Sequence, residues 1–226
     1  TGLVMSPSAE VTASIADGSF TVMVQIDALG ADTEYNPLAA RLHVGADLGM
    51  APTWSGNDEW PIVPEFLNDP TDPNSSKVQF PSSYLVENTW VSGTNTNLNL
   101  NIAVGGYNLS LPITNAVFAM DISDDRSSAA NGTIAGVLPT EQLIAELEKI
   151  VGAIQPELCE GSAAENLYNL IRNASDIMAD GSQDPNQTCN GISIGIGFSA
   201  KRVRLGAIAP ASTPGEDPCA AAPAGG

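Results

Sequence analysis

The chain has 226 residues and a formal net charge of −18, although only 15% of its residues are charged and 43% are apolar. This apolar share is too large for a disordered acidic tail, and the net charge opposes binding to the phosphate backbone of nucleic acids. No run of about 18 apolar residues is present, so no transmembrane segment is predicted. The composition therefore indicates a globular protein with one large domain or two small domains.

Most of the first 120 residues are predicted to form short β-strands separated by turns. The clearest strand is 98–104, in which Leu and Ile alternate with Asn. Such alternation is typical of a strand with one buried face and one solvated face. Asp17-Gly18 lies between the β-rich runs 11–15 and 20–26, which predicts a hairpin. The fold class indicated is mainly β, an antiparallel β-sandwich.

The period of the apolar residues changes between residues 132 and 180. Apolar side chains from Leu143 to Ile154 follow one stripe of an α-helix that Thr140 is predicted to cap. A second helix is predicted to begin with the capping box Ser162-x-x-Glu165. Strands return at 192–198 and 203–208. We therefore expect one domain over 1–208 with an inserted two-helix unit at about 138–180, followed by a Pro/Ala/Gly-rich tail at 209–226.

The three cysteines indicate a disulfide rather than a metal site, because their spacing matches no zinc motif. A bridge between Cys159 and Cys189 would fasten the second helix to the body and stabilise the fold by roughly 3–4 kcal/mol. Cys219 is then free, pairs between chains, or replaces Cys159 as the partner of Cys189. A persistent disulfide indicates an oxidising compartment, namely the periplasm, the cell surface or the extracellular space.

The second half of the chain resembles uncharacterised secreted proteins and lipoproteins of Gram-negative bacteria. The resemblance covers about residues 98–208: the alternating hairpin, the run 131–137, the two helices and the closing strand 192–198. It implies an envelope location and no particular activity or functional residue. The chain begins with Thr1, which predicts removal of a targeting segment, and the expected lipidated cysteine is not at this position.

One region combines flat aromatic side chains with carboxylates, which are the ingredients of a sugar-binding face. Trp54 and Trp60 lie beside Asp58 and Glu59 in the sequence. The region is a candidate for carbohydrate binding or, with two carboxylates, for glycoside hydrolysis. The competing interpretation is that the tryptophans cover the edge of the sandwich and the acids solvate a loop.

Two acidic loops are candidates for calcium, which prefers six to eight hard oxygen ligands. Neither loop has the spacing of an EF-hand, and Asp and Asn are also the common residues of ordinary turns. The candidate ligands are Asp121, Asp124, Asp125, Asp180 and Asp184.

No nucleophile motif or phosphate-binding glycine loop is present. His43 is the only histidine, and an outward strand position is predicted for it. Lys201, Arg202 and Arg204 reverse the prevailing negative charge locally, either as an edge-strand device against aggregation or as a contact for an acidic partner.

The sequence thus predicts a non-enzymatic, exported envelope or extracellular protein. It would act by binding, as a surface structural component or as an accessory subunit together with other envelope or extracellular proteins. The alternative is a carbohydrate-binding module or a glycoside hydrolase that uses the region from Trp54 to Trp60.

Overall fold

The computed structural model describes residues 7–93, 96–104, 107–154, 158–159 and 161–211. In this part of the chain 44% of the residues lie in strands and 20% in helices, which confirms the mainly β class. The sandwich arrangement stays a prediction. The α-helices of the described residues are Pro7–Asp17 (α1), Thr140–Ile154 (α2) and Ser162–Asn173 (α3). None of them is long and apolar enough to cross a bilayer.

The described residues form ten strands. In chain order they are Thr21–Ile26 (β1), Tyr35–Gly45 (β2), Glu59–Ile62 (β3), Val78–Val86 (β4), Thr89–Val91 (β5), Thr96–Val104 (β6), Tyr107–Ile122 (β7), Ser128–Pro139 (β8), Gly191–Lys201 (β9) and Arg204–Ile208 (β10). The strand order is β10-β3-β2-β4-β5-β7-β8-β9, while β1 pairs with β2 and β6 pairs with β7.

The sheet is mixed because its last strand pairs in the parallel sense. Strands β1 to β5 pair antiparallel with one another where they are neighbours, and β5 is also antiparallel to β7. Strand β10 instead runs parallel to β3, with Arg204 opposite Glu59 and Leu205 opposite Trp60. Since β10 ends the strand order, it is an edge strand of the described sheet.

The first element is a helix, so the predicted hairpin across Asp17-Gly18 is wrong. Pro7 starts α1, where the missing N–H of proline costs nothing. Gly18 has a φ of +92°, the left-handed conformation that commonly ends a helix. A Cβ at this position would lie 2.2 Å from the carbonyl oxygen of Met50. Asp17-Gly18 is therefore a helix C-terminus, although the same dipeptide also suits a hairpin turn.

The chain divides into two compact units, and the predicted single domain over 1–208 stays a prediction. The first unit comprises Thr1–Thr96, Ala116–Ala135 and Gly195–Ser212. One of its apolar clusters joins the buried side chains of Met23, Trp60, Ile62 and Leu67, and we call it the Trp60 cluster.

Among the described residues, the second unit comprises Asn97–Asn115 and Gly136–Ile194. The predicted two-helix unit is present in it as α2 and α3, which pack through a cluster that includes Ile144 and Tyr168. The guanidinium of Arg172 donates to both carboxylate oxygens of Glu141, at 2.8 and 2.9 Å. The predicted capping box is wrong, because Gly161 is the N-cap of α3 and provides no side-chain hydrogen bond.

A second core region of the first unit contains buried hydroxyl groups among aromatic rings. Phe80 contacts Trp90 edge to face, with 5.8 Å between ring centroids. The hydroxyl of Ser83 donates to the carbonyl oxygen of Leu38 and accepts a hydrogen bond of 3.1 Å from Nε1 of Trp90. Ser83, Leu85 and Trp90 are fully buried, so this hydroxyl satisfies polar groups that water cannot reach.

Replacing Ser83 with alanine is expected to lower the free energy of unfolding by about 1–3 kcal/mol. The substitution leaves the indole N–H of Trp90 buried without its acceptor, and such a group costs its full desolvation penalty. Urea unfolding measures the effect. The control is Ser199→Ala, at an exposed position on β9, for which a change below about 0.5 kcal/mol is expected. Equal midpoints for the two variants would contradict this role of Ser83.

Candidate ligand-binding site

The region that the sequence singles out for carbohydrate borders a cleft of about 250 Å³ in the first unit. We call it the Trp54 cleft. Its lining is mostly polar, with one aromatic side chain and two arginines. The lining residues are Trp54, Ser55, Gly56, Asn57, Ser127, Arg202 and Arg204.

Trp54 provides the aromatic surface of the cleft. The residue is 36% exposed, and its ring packs against that of Trp60 with 5.9 Å between centroids and 36° between planes. Its φ is +56°, a conformation that is strained for a bulky residue. Such strain persists only where the surroundings enforce it, and it concentrates at functional sites.

A carboxylate enforces the conformation of the loop that carries Trp54. Oδ1 of Asp58 accepts hydrogen bonds from the backbone N–H and from the hydroxyl of Thr53, each at 2.8 Å. The pKa of Asp58 is lowered from its usual value, mainly by the hydrogen bond from the backbone N–H of Thr53. The backbone N–H of Trp54 contributes to the same shift. Oδ2 of Asp58 is buried, without a hydrogen-bond partner among the described residues. Asp58 therefore stabilises the conformation of the loop through its hydrogen bonds with Thr53.

The other two residues of the predicted aromatic-acidic set have different environments. Trp60 is fully buried, and its Nε1 donates to the carbonyl oxygen of Ala46 at 2.7 Å. A ligand therefore cannot touch it, and its contribution is to support Trp54. Glu59 is exposed and lies opposite Arg204 in the sheet register. Of the four residues singled out, only Trp54 lines the cleft.

The arginines reach the cleft because their neighbours in the chain are held in the core. Val203 and Leu205 pack against the Trp60 cluster, and successive side chains of an extended segment point to opposite sides. The backbone N–H of Arg202 donates to Ser127 and that of Arg204 donates to Asp58, in both cases to the carbonyl oxygen at 2.9 Å. Both arginines are therefore fixed at the backbone, on the side away from the core.

Ser127 completes the cleft on the side of the turn before β8. Its N–H and its hydroxyl donate to Oδ1 of Asp125, at 3.0 and 2.8 Å. The hydroxyl of Ser123 and then that of Ser127 lower the pKa of Asp125 to about 2. Sequence reasoning did not select Ser127, and no local pattern marks it, because the tertiary fold alone brings this turn to the loop of Trp54.

The acidic loops that suggested calcium are closed by their own hydrogen bonds. The hydroxyl of Ser182 donates to Asp180 at 2.6 Å, and the side chain of Gln187 donates to Asp184 at 2.8 Å. Asp121 accepts from Thr89, as Asp125 does from Ser123. Among the described residues no three His, Cys, Asp or Glu side chains form a group that could hold a metal ion. The carboxylates of Asp121, Asp124, Asp125, Asp180 and Asp184 therefore form no such group there.

The predicted Cys159–Cys189 disulfide is wrong, because Cys189 has a free, half-buried thiol. The alternative pairing of Cys189 with Cys219 is wrong for the same reason. An antiparallel bridge between Ile177 and Gly191 closes the loop of Cys189 through backbone hydrogen bonds. Cys159 is not free, and no disulfide joins two of the described cysteines. Cys219 and most of the predicted tail lie outside the described residues.

The predicted outward position of His43 is also wrong, because its side chain is fully buried. Leu42 and Val44 bury one face of β2, while His43 lies opposite Met23 of the Trp60 cluster. The ring nitrogen Nε2 lies 3.1 Å from Oε1 of Gln25, and Nδ1 has no partner among the described residues. A buried histidine without access to solvent is a poor general base.

Comparisons with protein-family models, with curated proteins and with solved structures found no match to this chain. The resemblance of residues 98–208 to secreted proteins and lipoproteins of Gram-negative bacteria therefore stays a prediction. The function must be inferred from the Trp54 cleft itself.

Burial lowers the pKa of His43 to about 4, with a further contribution from Arg41 that Asp27 opposes. In the unfolded chain the imidazole of His43 takes up its proton near pH 6.5. The free energy of unfolding therefore has its full value above pH 6.5 and falls as the pH decreases towards 4. The full loss is about 3 kcal/mol. Because His43 is the only histidine, the NMR titration of its C2 proton measures the pKa directly. A midpoint near 6.5 in the folded protein would contradict the buried, neutral state.

Proposed function

We propose that this protein is a non-enzymatic binding protein and that the Trp54 cleft binds a carbohydrate. The observation that carries the proposal is the partly exposed ring of Trp54, which lies beside polar groups of the cleft and packs on the buried ring of Trp60. The backbone of Trp54 has a φ of +56°. Backbone strain at a bulky residue concentrates at functional sites, and this supports a binding role for Trp54.

The lining of the cleft suits a sugar ring better than an apolar ligand. The C–H face of a pyranose can cover the indole of Trp54, while its hydroxyl groups meet the polar groups of Ser55, Asn57 and Ser127. The volume of about 250 Å³ lies below the usual range for drug-sized ligands, which starts near 300 Å³. The cleft therefore fits a short part of a chain rather than an enclosed small molecule.

The positions of the carboxylates favour binding over hydrolysis. Glycoside hydrolysis commonly uses two carboxyl groups about 5 to 9.5 Å apart on either side of the scissile bond. The described lining of the cleft contains no Asp or Glu. Asp58, behind the loop, accepts hydrogen bonds that lower its pKa, whereas a general acid needs a raised one.

We also propose that the protein acts outside the cytoplasm, in the periplasm, at the cell surface or in the extracellular space. Support comes from the composition, in which acidic and small polar residues are abundant and only three lysines occur. A carbohydrate ligand agrees with this location. Assembly with other envelope or extracellular proteins stays a prediction.

The test is calorimetric titration with the oligosaccharides that an immobilised glycan array selects, using the natural chain and Trp54→Ala. The variant should bind at least tenfold more weakly, because it lacks the surface on which the sugar ring packs. The control is Met50→Ala, which removes another exposed apolar side chain outside the cleft. Failure of every glycan to bind, or equal affinity of Trp54→Ala, would refute the proposal.

A further inference from the structure

The basic residues of the chain differ in whether their side chains have partners. Of the eight, five donate to a carboxylate, an amide or a backbone carbonyl oxygen: Arg41, Lys77, Arg126, Lys149 and Arg172. The other three, Lys201, Arg202 and Arg204, make no side-chain hydrogen bond or ion pair with the described residues. All three residues are exposed, so their charged groups are accessible to a ligand.

Two of these three cations lie in the Trp54 cleft. Arg202 and Arg204 line it, whereas Lys201 does not. The stem of Arg202 passes over Gly56, because its Cδ is 3.9 Å from the position of a Cβ at that glycine. Gly56 has a φ of +82°, so a side chain there would be strained. The backbone conformation at the wall of the cleft therefore favours glycine, and the stem of Arg202 lies beside that wall.

The nearby acids do not neutralise these guanidinium groups. Asp58 and Asp125 accept hydrogen bonds from amides and hydroxyls of their own loops. Glu59 is the register partner of Arg204 but forms no ion pair with it in the described structure. Both arginines therefore keep their donors available beside the ring of Trp54.

We infer that the Trp54 cleft selects an anionic saccharide, whose sugar ring packs on Trp54 and whose carboxylate or sulfate group binds Arg202 and Arg204. Guanidinium groups suit this role because they remain charged and can donate two parallel hydrogen bonds to a planar carboxylate. The inference rests on the proposed carbohydrate-binding function and adds the chemical class of the sugar.

The test uses matched pairs of oligosaccharides that differ only in charge. Oligomers of glucuronate, galacturonate, mannuronate and guluronate are titrated against their carboxyl-reduced counterparts, and a sulfated galactan oligomer against its desulfated form. The proteins are the natural chain, the double variant Arg202→Gln/Arg204→Gln, Lys201→Gln and Trp54→Ala. Lys201→Gln is the matched control, since it removes a neighbouring charge that does not line the cleft.

At least one anionic oligomer should bind about tenfold or more tightly than its neutral counterpart, as expected for hydrogen bonds to a charged group. The double arginine variant should lose this preference, while Lys201→Gln keeps it. A preference for the uronate oligomers would identify a carboxylate as the recognised group, and a preference for the sulfated galactan would identify a sulfate.

Two results would overturn the inference in different ways. If charged and neutral partners bind equally and Trp54→Ala weakens both, the cleft binds carbohydrate without selecting charge, and the proposed function survives. If no oligomer binds, or if neither Trp54→Ala nor the arginine variant affects binding, the inference and the proposed function both fail.

Discussion

The burial of Trp60 is the constraint on which the candidate site depends. Its indole N–H is satisfied by the carbonyl oxygen of Ala46, and its ring is the largest member of the Trp60 cluster. A Cβ at Gly45 would lie 2.5 Å from Cδ1 of Trp60, so β2 approaches the ring closely only because this residue is glycine. A Cβ at Gly206 would lie 2.9 Å from the carbonyl oxygen of Trp60, which sets a similar limit on β10. The buried indole thus limits the approach of β2 to β3, and the backbone of β3 limits the approach of β10.

The cleft follows from this arrangement. Trp54 packs on the fixed ring of Trp60, and Asp58 holds the loop between them. The parallel return of β10 beside β3 brings Arg202 and Arg204 to the same loop. An edge strand also benefits from charged side chains that discourage pairing with other chains. That role explains exposed arginines but not their position beside Trp54.

The sequence allowed prediction of those features that depend on local periodicity. Alternation predicted β6 and β9, and the apolar stripe predicted α2. Features that depend on distant partners were missed. Asp17-Gly18 suits both a turn and a helix end, and the polarity of His43 gave no sign that β2 is buried on both faces there. The adjacency of Trp54 and the arginines required the parallel pairing of β10, which no local pattern encodes.

The most direct test of the account follows the three indole N–H signals of the folded protein by NMR while an oligosaccharide that binds it is added. The account predicts that the signal missing from the spectrum of Trp54→Phe shifts most. The signal of Trp90, which is buried away from the cleft, should not change. Binding that leaves the Trp54 signal unmoved, or that shifts Trp90 instead, would contradict the claim that this cleft is the binding site.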